Sequence, residues 1–181
     1  QHEIEGMSFT ETAQYFKNRF GINEDIETIK DEWNAMAAYL YEKEIMLKSG
    51  VAELVKRLSQ RGVRLGIGTS NFRALAESVL HSNGIHGYFN VIRTSCEVEK
   101  GKPSPDIYLK VAEELKTEPS KCVVFEDTYA GILAAKRAGM KACAVYDEHS
   151  KSRWKELVDL ADMHVESMDE IDAEFNSEFY I

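Results

Sequence analysis

From Val51 onward the chain alternates short apolar runs with stretches of helical periodicity, and this rhythm constrains its fold more than any other feature. VRLGIGT (Val63–Thr69), CVVFE (Cys122–Glu126) and KACAVY (Lys141–Tyr146) read as strands, with shorter ones at Val91–Ile92 and Met163–Val165. Val51–Gln60, Phe72–Ser82, Pro105–Lys116, Tyr129–Ala138 and Ser152–Leu160 read as the helices between them. Helices of about 10–12 residues between strands imply βαβ units and a parallel sheet. Strands that are nearly all apolar belong between two covering layers. Gly62 and Gly139 suit helix stops, while Ser104 and Pro105 fit an N-cap and a first helical position. The expected class is therefore α/β, a three-layer, Rossmann-like core with a parallel sheet.

The first part of the chain lacks this rhythm. Phe9, Ala13, Phe16 and Phe20 recur with a helical period over Phe9–Phe20, and Gly21 suits the stop. A second helix is expected from Glu24 to about Ile45, capped by Asn23, with Ile26, Ile29, Trp33, Met36, Ala37 and Leu40 on one broad face. Residues 1–48 thus read as a helical unit placed before an α/β unit of residues 49–181. The acidic, aromatic end EIDAEFNSEFYI reads as loosely held.

Composition narrows the function classes. The 181 residues carry 44% hydrophobic and 29% charged residues, ordinary for a globular chain that can bury a core. A net charge of −9 without a Lys/Arg cluster argues against nucleic acid, whose phosphates need a basic face. No apolar run approaches the ~18–20 residues of a membrane span, and QHEIEGMS is too polar for a signal peptide. Cys96, Cys122 and Cys143 are odd in number and widely spaced, so reduced, buried thiols in a cytoplasmic protein are expected. A monomer is the expected state.

In open α/β sheets the ligand crevice lies beyond the carboxyl ends of the strands. One strand ends in Thr69-Ser70-Asn71 and another in Glu126-Asp127, and Lys102 stands between them in a loop, GKPSPD (Gly101–Asp106), before a helix. Each has a plain structural explanation: a helix cap, a solvated lysine, acids complementing a helix N-terminus. Their coincidence at the ends of one sheet favours a site. A phosphate would take the Thr69 hydroxyl, helix N–H groups and the Lys102 ammonium. A hard cation such as Mg²⁺ would explain two adjacent carboxylates that otherwise repel.

These segments resemble motifs of the haloacid dehalogenase superfamily, in its β-phosphoglucomutase-like branch. LGIGTSNF (Leu65–Phe72) resembles the second motif, GKPSPDIY (Gly101–Tyr108) the third and VVFEDTYAGILAAKRAG (Val123–Gly139) the fourth, over about Gly6 to Val165. The resemblance implies a phosphatase acting on a small phosphorylated metabolite, with the residues before the core forming a cap. It implies phosphate binding by Thr69, Ser70, Asn71 and Lys102, and Mg²⁺ held by Glu126 and Asp127, with Asp127 the direct ligand. Catalysis would fall to Lys102 and Thr69 around an aspartyl-phosphate.

One departure is large. The family nucleophile is the first Asp of an Asp-x-Asp motif on the first, central strand, and this sequence contains no Asp-x-Asp. Asp159 and Asp162 fall on the wrong side of the fold, and Asp169 and Asp172 come too late. Roughly 40 residues of the family pattern, judged from the usual size of such domains, are then expected upstream of Gln1, including the strand between those ending at Thr69 and Glu126. A non-catalytic phosphate- and metal-binding protein, or an inactive fragment, is the reading of another class. A sugar phosphomutase is disfavoured, because the branch has Arg where Phe9 stands, and Phe cannot make its bidentate contact. Phe9 itself, Trp33, Met36, Tyr39–Tyr41 and Trp154 read as packing residues, and His81 and His86 as surface loop residues rather than metal ligands.

Overall fold

The computed structural model describes residue 4, residues 7–43 and residues 46–171, those at 38–43 by backbone alone. In chain order the main elements are α1 (Phe9–Phe20), α2 (Ile26–Lys43), α3 (Val51–Gln60), β1 (Gly66–Thr69), α4 (Arg73–Ser82), β2 (Val91–Thr94), α5 (Asp106–Glu114), β3 (Val123–Glu126), α6 (Tyr129–Arg137), β4 (Lys141–Val145), α7 (Trp154–Leu160) and β5 (Met163–Val165). Expected positions at Glu44, Ile45, Gly6 and the tail from Asp172 lie outside the described residues, as do the side chains of Tyr39–Tyr41.

The layering follows from β4. Ala142 and Ala144 belong to a buried cluster with Ile107, Ile132, Ala135 and Leu157, from α5, α6 and α7. Cys143 and Val145 belong to a second cluster with Leu54 of α3, Val165 and Ile171. Successive strand residues point to opposite faces, so one apolar run with no polar face packs helices on both sides. The strand carries small residues on the α5–α7 face, which lets α6 lie close with its own alanines.

The strands form two parallel sheets, β1–β2 and β3–β4–β5, rather than the single sheet expected. Between β1 and β3 runs a cavity of about 550 Å³, lined among others by Leu54, Leu58, Ile67, Val111, Leu115 and Val124. Ladder partners must lie about 4.8 Å apart, and a space of that size keeps β1 and β3 beyond pairing distance. Helix α5 spans the division: it packs on β1 and β2 while its Ile107, Tyr108 and Ala112 join the cluster under β4.

Boundaries moved where side chains compete with the backbone. Val63–Leu65 is not strand: Leu65 N–H donates to the Asn90 side-chain oxygen at 3.0 Å, while Asn90 N–H donates to the Leu65 carbonyl at 2.8 Å. β2 runs on to Thr94 because Arg93 and Thr94 pair with Gly68 and Thr69. Ser104 does not cap α5, since its hydroxyl donates to the Asp106 carboxylate and Pro105 takes the N-cap position. Asp25, not Asn23, accepts from the Thr28 N–H (2.9 Å) at the start of α2. Residues Glu148–Arg153 form a 3₁₀ stretch, so α7 begins only at Trp154. Helix α1 keeps its expected bounds, with a capping box between Ser8 and Glu11 and Gly21 in the left-handed region.

Helices α1 and α2 pack together, and α2 also packs on α4. Phe9 sits between Trp33 and Phe72, with ring centroids 5.6 and 5.9 Å away, as a packing residue of this junction. Met36, expected on the apolar face, is 67% exposed. Trp154 packs edge-on against Tyr146 and His164. Of the thiols only Cys143 is buried; Cys122 is half-buried and Cys96 exposed, against expectation, because Cys96 lies on a turn at the surface. No described helix is long and apolar enough to cross a membrane.

Leu157 is fully buried under β4. Leu157→Ala should cost about 2–5 kcal/mol, a large share of a typical ~5–15 kcal/mol. Urea denaturation would show this as a lower midpoint, and an unchanged midpoint would contradict the packing of α7.

Candidate active site

β1 ends at Thr69 and β3 at Glu126, on the same edge of their sheets, where an open α/β fold presents its crevice. The loop before α5 brings Lys102 to this edge. Thr69, Ser70, Asn71, Lys102, Glu126 and Asp127 all line one open pocket of about 370 Å³. The structure therefore brings together every residue the sequence singled out.

Lys102 is only 8% exposed, unlike a solvated loop lysine. Its ammonium donates to Glu126 Oε1 in a buried ion pair. The Tyr108 hydroxyl donates to the same oxygen at 2.7 Å, and Lys102 Nζ lies 5.1 Å from the centre of the Tyr108 ring. Glu126 Oε2 accepts from the N–H groups of Asp127 and Thr128, both at 3.1 Å, and from the Thr128 hydroxyl at 2.9 Å. Burial opposes ionisation of this carboxyl, but the Lys102 charge and the hydrogen bonds from Lys102, Tyr108 and Thr128 outweigh it and hold the pKa below the usual range. Both oxygens of Glu126 are thus filled by donors. The start of α6 makes room for them: a Cβ on Gly131 would fall 2.0 Å from the Glu126 carboxyl carbon.

Asp127 differs. Its side chain is 39% exposed and turns to the pocket, with Lys48 Nζ 3.4 Å from Oδ2. Burial first, and then the Glu126 charge, raise its pKa above the usual value, against the pull of Lys48. Among the described residues no group of three or more His, Cys, Asp or Glu side chains is arranged to hold a metal ion.

The Thr69-Ser70-Asn71 turn does not cap α4, whose N-cap is Phe72 without a side-chain bond. Thr69 Oγ1 accepts from Asn71 N–H at 3.0 Å, and Asn71 Oδ1 from Phe72 N–H at 2.9 Å. Ser70 Oγ lies 3.4 Å from Ser95 Oγ. The turn is held rigid with its hydroxyls at the pocket wall. Asp162, set aside from the sequence, accepts from Ala142 N–H at 2.8 Å and pairs with Lys136, a structural role. His81 lies in α4, not in a loop, and stacks on His86 at 3.9 Å between ring centres.

Three site residues escaped the sequence reading. Tyr108 lies within the quoted GKPSPDIY segment, and its signal is that a buried phenol needs a partner. Thr128 serves both as N-cap of α6 and as a donor to Glu126. Lys48 carries no local signal, because only the fold brings it to the ends of β3 and β4.

A family model of haloacid dehalogenase-like hydrolases matches residues 1–145. The chain belongs to this family. Among its relatives, the bifunctional riboflavin kinase/FMN phosphatase of Arabidopsis thaliana is 40% identical over 119 residues, which are 64% of this chain and 31% of that protein. The validoxylamine A 7'-phosphate phosphatase of Streptomyces hygroscopicus subsp. limoneus is 43% identical over 100 residues, 55% of this chain and 47% of that protein. The chain spans less than half the length of either. A crystal structure of β-phosphoglucomutase from Clostridium difficile matches in fold, with a TM-score of 0.81 at 24% identity, over 98% of this chain and 79% of that one. The relatives include phosphatases and phosphomutase-like proteins, and magnesium is general to the family.

Two outcomes follow from this geometry. Tyr108→Phe removes a hydrogen bond to a charged, buried group and should cost about 1.5–3 kcal/mol, read as a lower urea midpoint. An unchanged midpoint would show that Tyr108 does not support Glu126. Although burial opposes it, hydrogen bonds from Lys48 and His149 and the Lys48 charge lower the Asp147 pKa from 3.8 to about 2. Its stabilising contribution is complete above 3.8 and lost as pH falls through about 2. Asp147→Asn should flatten that acid limb of stability against pH, and an unaltered limb would exclude the pair.

Proposed function

We propose that the protein is a Mg²⁺-dependent phosphatase of a small phosphomonoester. The observation that carries this reading is the buried Lys102–Glu126 pair facing the Thr69 turn across a pocket of about 370 Å³. Lys102 meets the phosphoryl group with an ammonium already oriented by Glu126 and the Tyr108 ring, so little reorganisation accompanies the developing charge. Thr69, Ser70 and Asn71 supply hydroxyl, amide and backbone donors to the non-bridging oxygens.

Mg²⁺ is bound through one or two carboxylates, substrate oxygens and several waters, and the donor set fits that pattern with Asp127 as the protein ligand. Glu126, with both oxygens filled, holds Lys102 in place. When bound, the ion neutralises phosphoryl charge. Residues 1–48 serve as the cap over the 49–181 core, closing on a single substrate molecule and excluding water.

Two other readings have an observation each. The absence of Asp-x-Asp favours a non-catalytic protein that binds phosphate and metal. The mutase reading is weakened by Phe9, which is packed between Trp33 and Phe72 and offers no anion contact.

Phosphate release from a panel of sugar and nucleoside monophosphates, by the protein at its native length with Mg²⁺ or with chelator, tests the proposal. Release that needs Mg²⁺ and falls about 10²–10³-fold in Lys102→Ala is expected, as for removal of a charge-stabilising donor. Release that survives chelation, or an unchanged rate in a folded Lys102→Ala, would overturn it. Phosphate binding with no release from any ester would favour the non-catalytic reading.

A further inference from the structure

A second ammonium reaches the same pocket, and the proposed chemistry gives it no task. Lys48 lies on the segment joining α2 to α3, and its neighbours fix that segment. Ser49 donates its hydroxyl to the Asp169 carboxylate. Gly50 has φ +78°, and a Cβ there would fall 2.4 Å from Asp169 N and 2.6 Å from the Met168 carbonyl carbon, so the backbone presses on the 168–170 turn. From this anchored position Lys48 Nζ donates to the Tyr146 carbonyl at 3.1 Å and to Asp147 Oδ2, and lies 3.4 Å from Asp127 Oδ2. Oxygens from the ends of both β3 and β4 therefore converge on one ammonium. Without it the Asp127 and Asp147 carboxylates would repel each other.

We propose that Lys48 is a tethered competitor of the divalent cation, occupying the cation position at Asp127 so that metal binding and attachment of the 46–50 segment to the sheet oppose each other. This rests on Asp127 being the metal ligand. An ammonium is a compact point charge, and one Lys48 Nζ serves Asp127, Asp147 and the Tyr146 carbonyl together, so a divalent ion at Asp127 repels it from all three. The ion must displace the ammonium and loosen the segment it ties down, and its affinity is lowered. Lys48 is thus a positioning residue that sets the metal concentration at which the site fills, rather than a group touching the substrate.

Calorimetric titration of the native-length protein with MgCl₂ tests this, using wild type, Lys48→Met, Lys48→Arg and Asp127→Asn. One unit charge at about 4 Å corresponds to roughly five- to ten-fold in affinity, so Lys48→Met should bind Mg²⁺ by about that factor more tightly. Lys48→Arg, which keeps the charge, should stay near wild type, and Asp127→Asn should lose binding. Wild-type or weaker affinity in Lys48→Met, with binding lost in Asp127→Asn, overturns the competitor role and leaves the metal reading intact. Undiminished affinity in Asp127→Asn overturns the metal reading itself, and the inference with it. Hydrogen exchange on the wild-type protein gives a second measure independent of any variant. Amides of residues 46–50 should exchange faster with Mg²⁺ than without, and equal or slower exchange would refute the opposition.

Discussion

The Glu126 carboxylate is bound by five donors drawn from three parts of the chain: Lys102 in the loop before α5, Tyr108 within α5, and Asp127 and Thr128 at the start of α6. A buried carboxylate left partly bonded is a large liability, and breaking such a pair costs about 3–5 kcal/mol. This one is satisfied on both oxygens, so it pins the loop, the helix and the strand end in one relative position. The pocket geometry depends on that constraint. Lys102 can point at a ligand only because Glu126 holds it, and Asp127 can face the pocket because its neighbour takes the inward place. Gly131 is the backbone counterpart, since any side chain there would collide with the carboxylate.

The second organising feature is the division of the strands. β1–β2 and β3–β4–β5 are separate sheets, held together by α5 on one face rather than by a common ladder. The pocket straddles this division: the Thr69 turn belongs to one sheet, Glu126 and Asp127 to the other. Whatever changes the spacing of the two sheets changes the distance between the Thr69 turn and the two carboxylates. The apolar side chains facing the cleft give that spacing its sensitivity, because apolar surface is driven to be covered.

Much of this was legible in the sequence because it depends on local pattern. The uninterrupted apolar run at Ala142–Val145 announced a strand covered on both faces, and these four residues divide between two cores accordingly. The Thr69, Lys102 and Glu126 segments end strands or begin helices, so a rule about strand ends found them all. What escaped involved competition between side chains or contact at long range. Ser104 looks like a cap until Asp106 claims its hydroxyl, and Asn23 looks like one until Asp25, closer to the helix, does the work. Nor can a run of residues disclose that both oxygens of Glu126 are filled while Asp127 stays half open. Lys48 is the extreme case, since only the return of the chain through β4 gives it partners.

The aromatic junction of Phe9, Trp33 and Phe72 has a use beyond packing. The chain has two tryptophans, and the fold assigns them to different places. Trp33 lies where the α1–α2 pair meets α4, while Trp154 lies against β4 and β5 beside Tyr146 and His164. Each indole is therefore a natural fluorophore for one part of the molecule. In a variant that keeps only Trp33, emission reports the packing of the helical pair on α4, and in one that keeps only Trp154 it reports the integrity of the α/β layers, in neither case with an attached label.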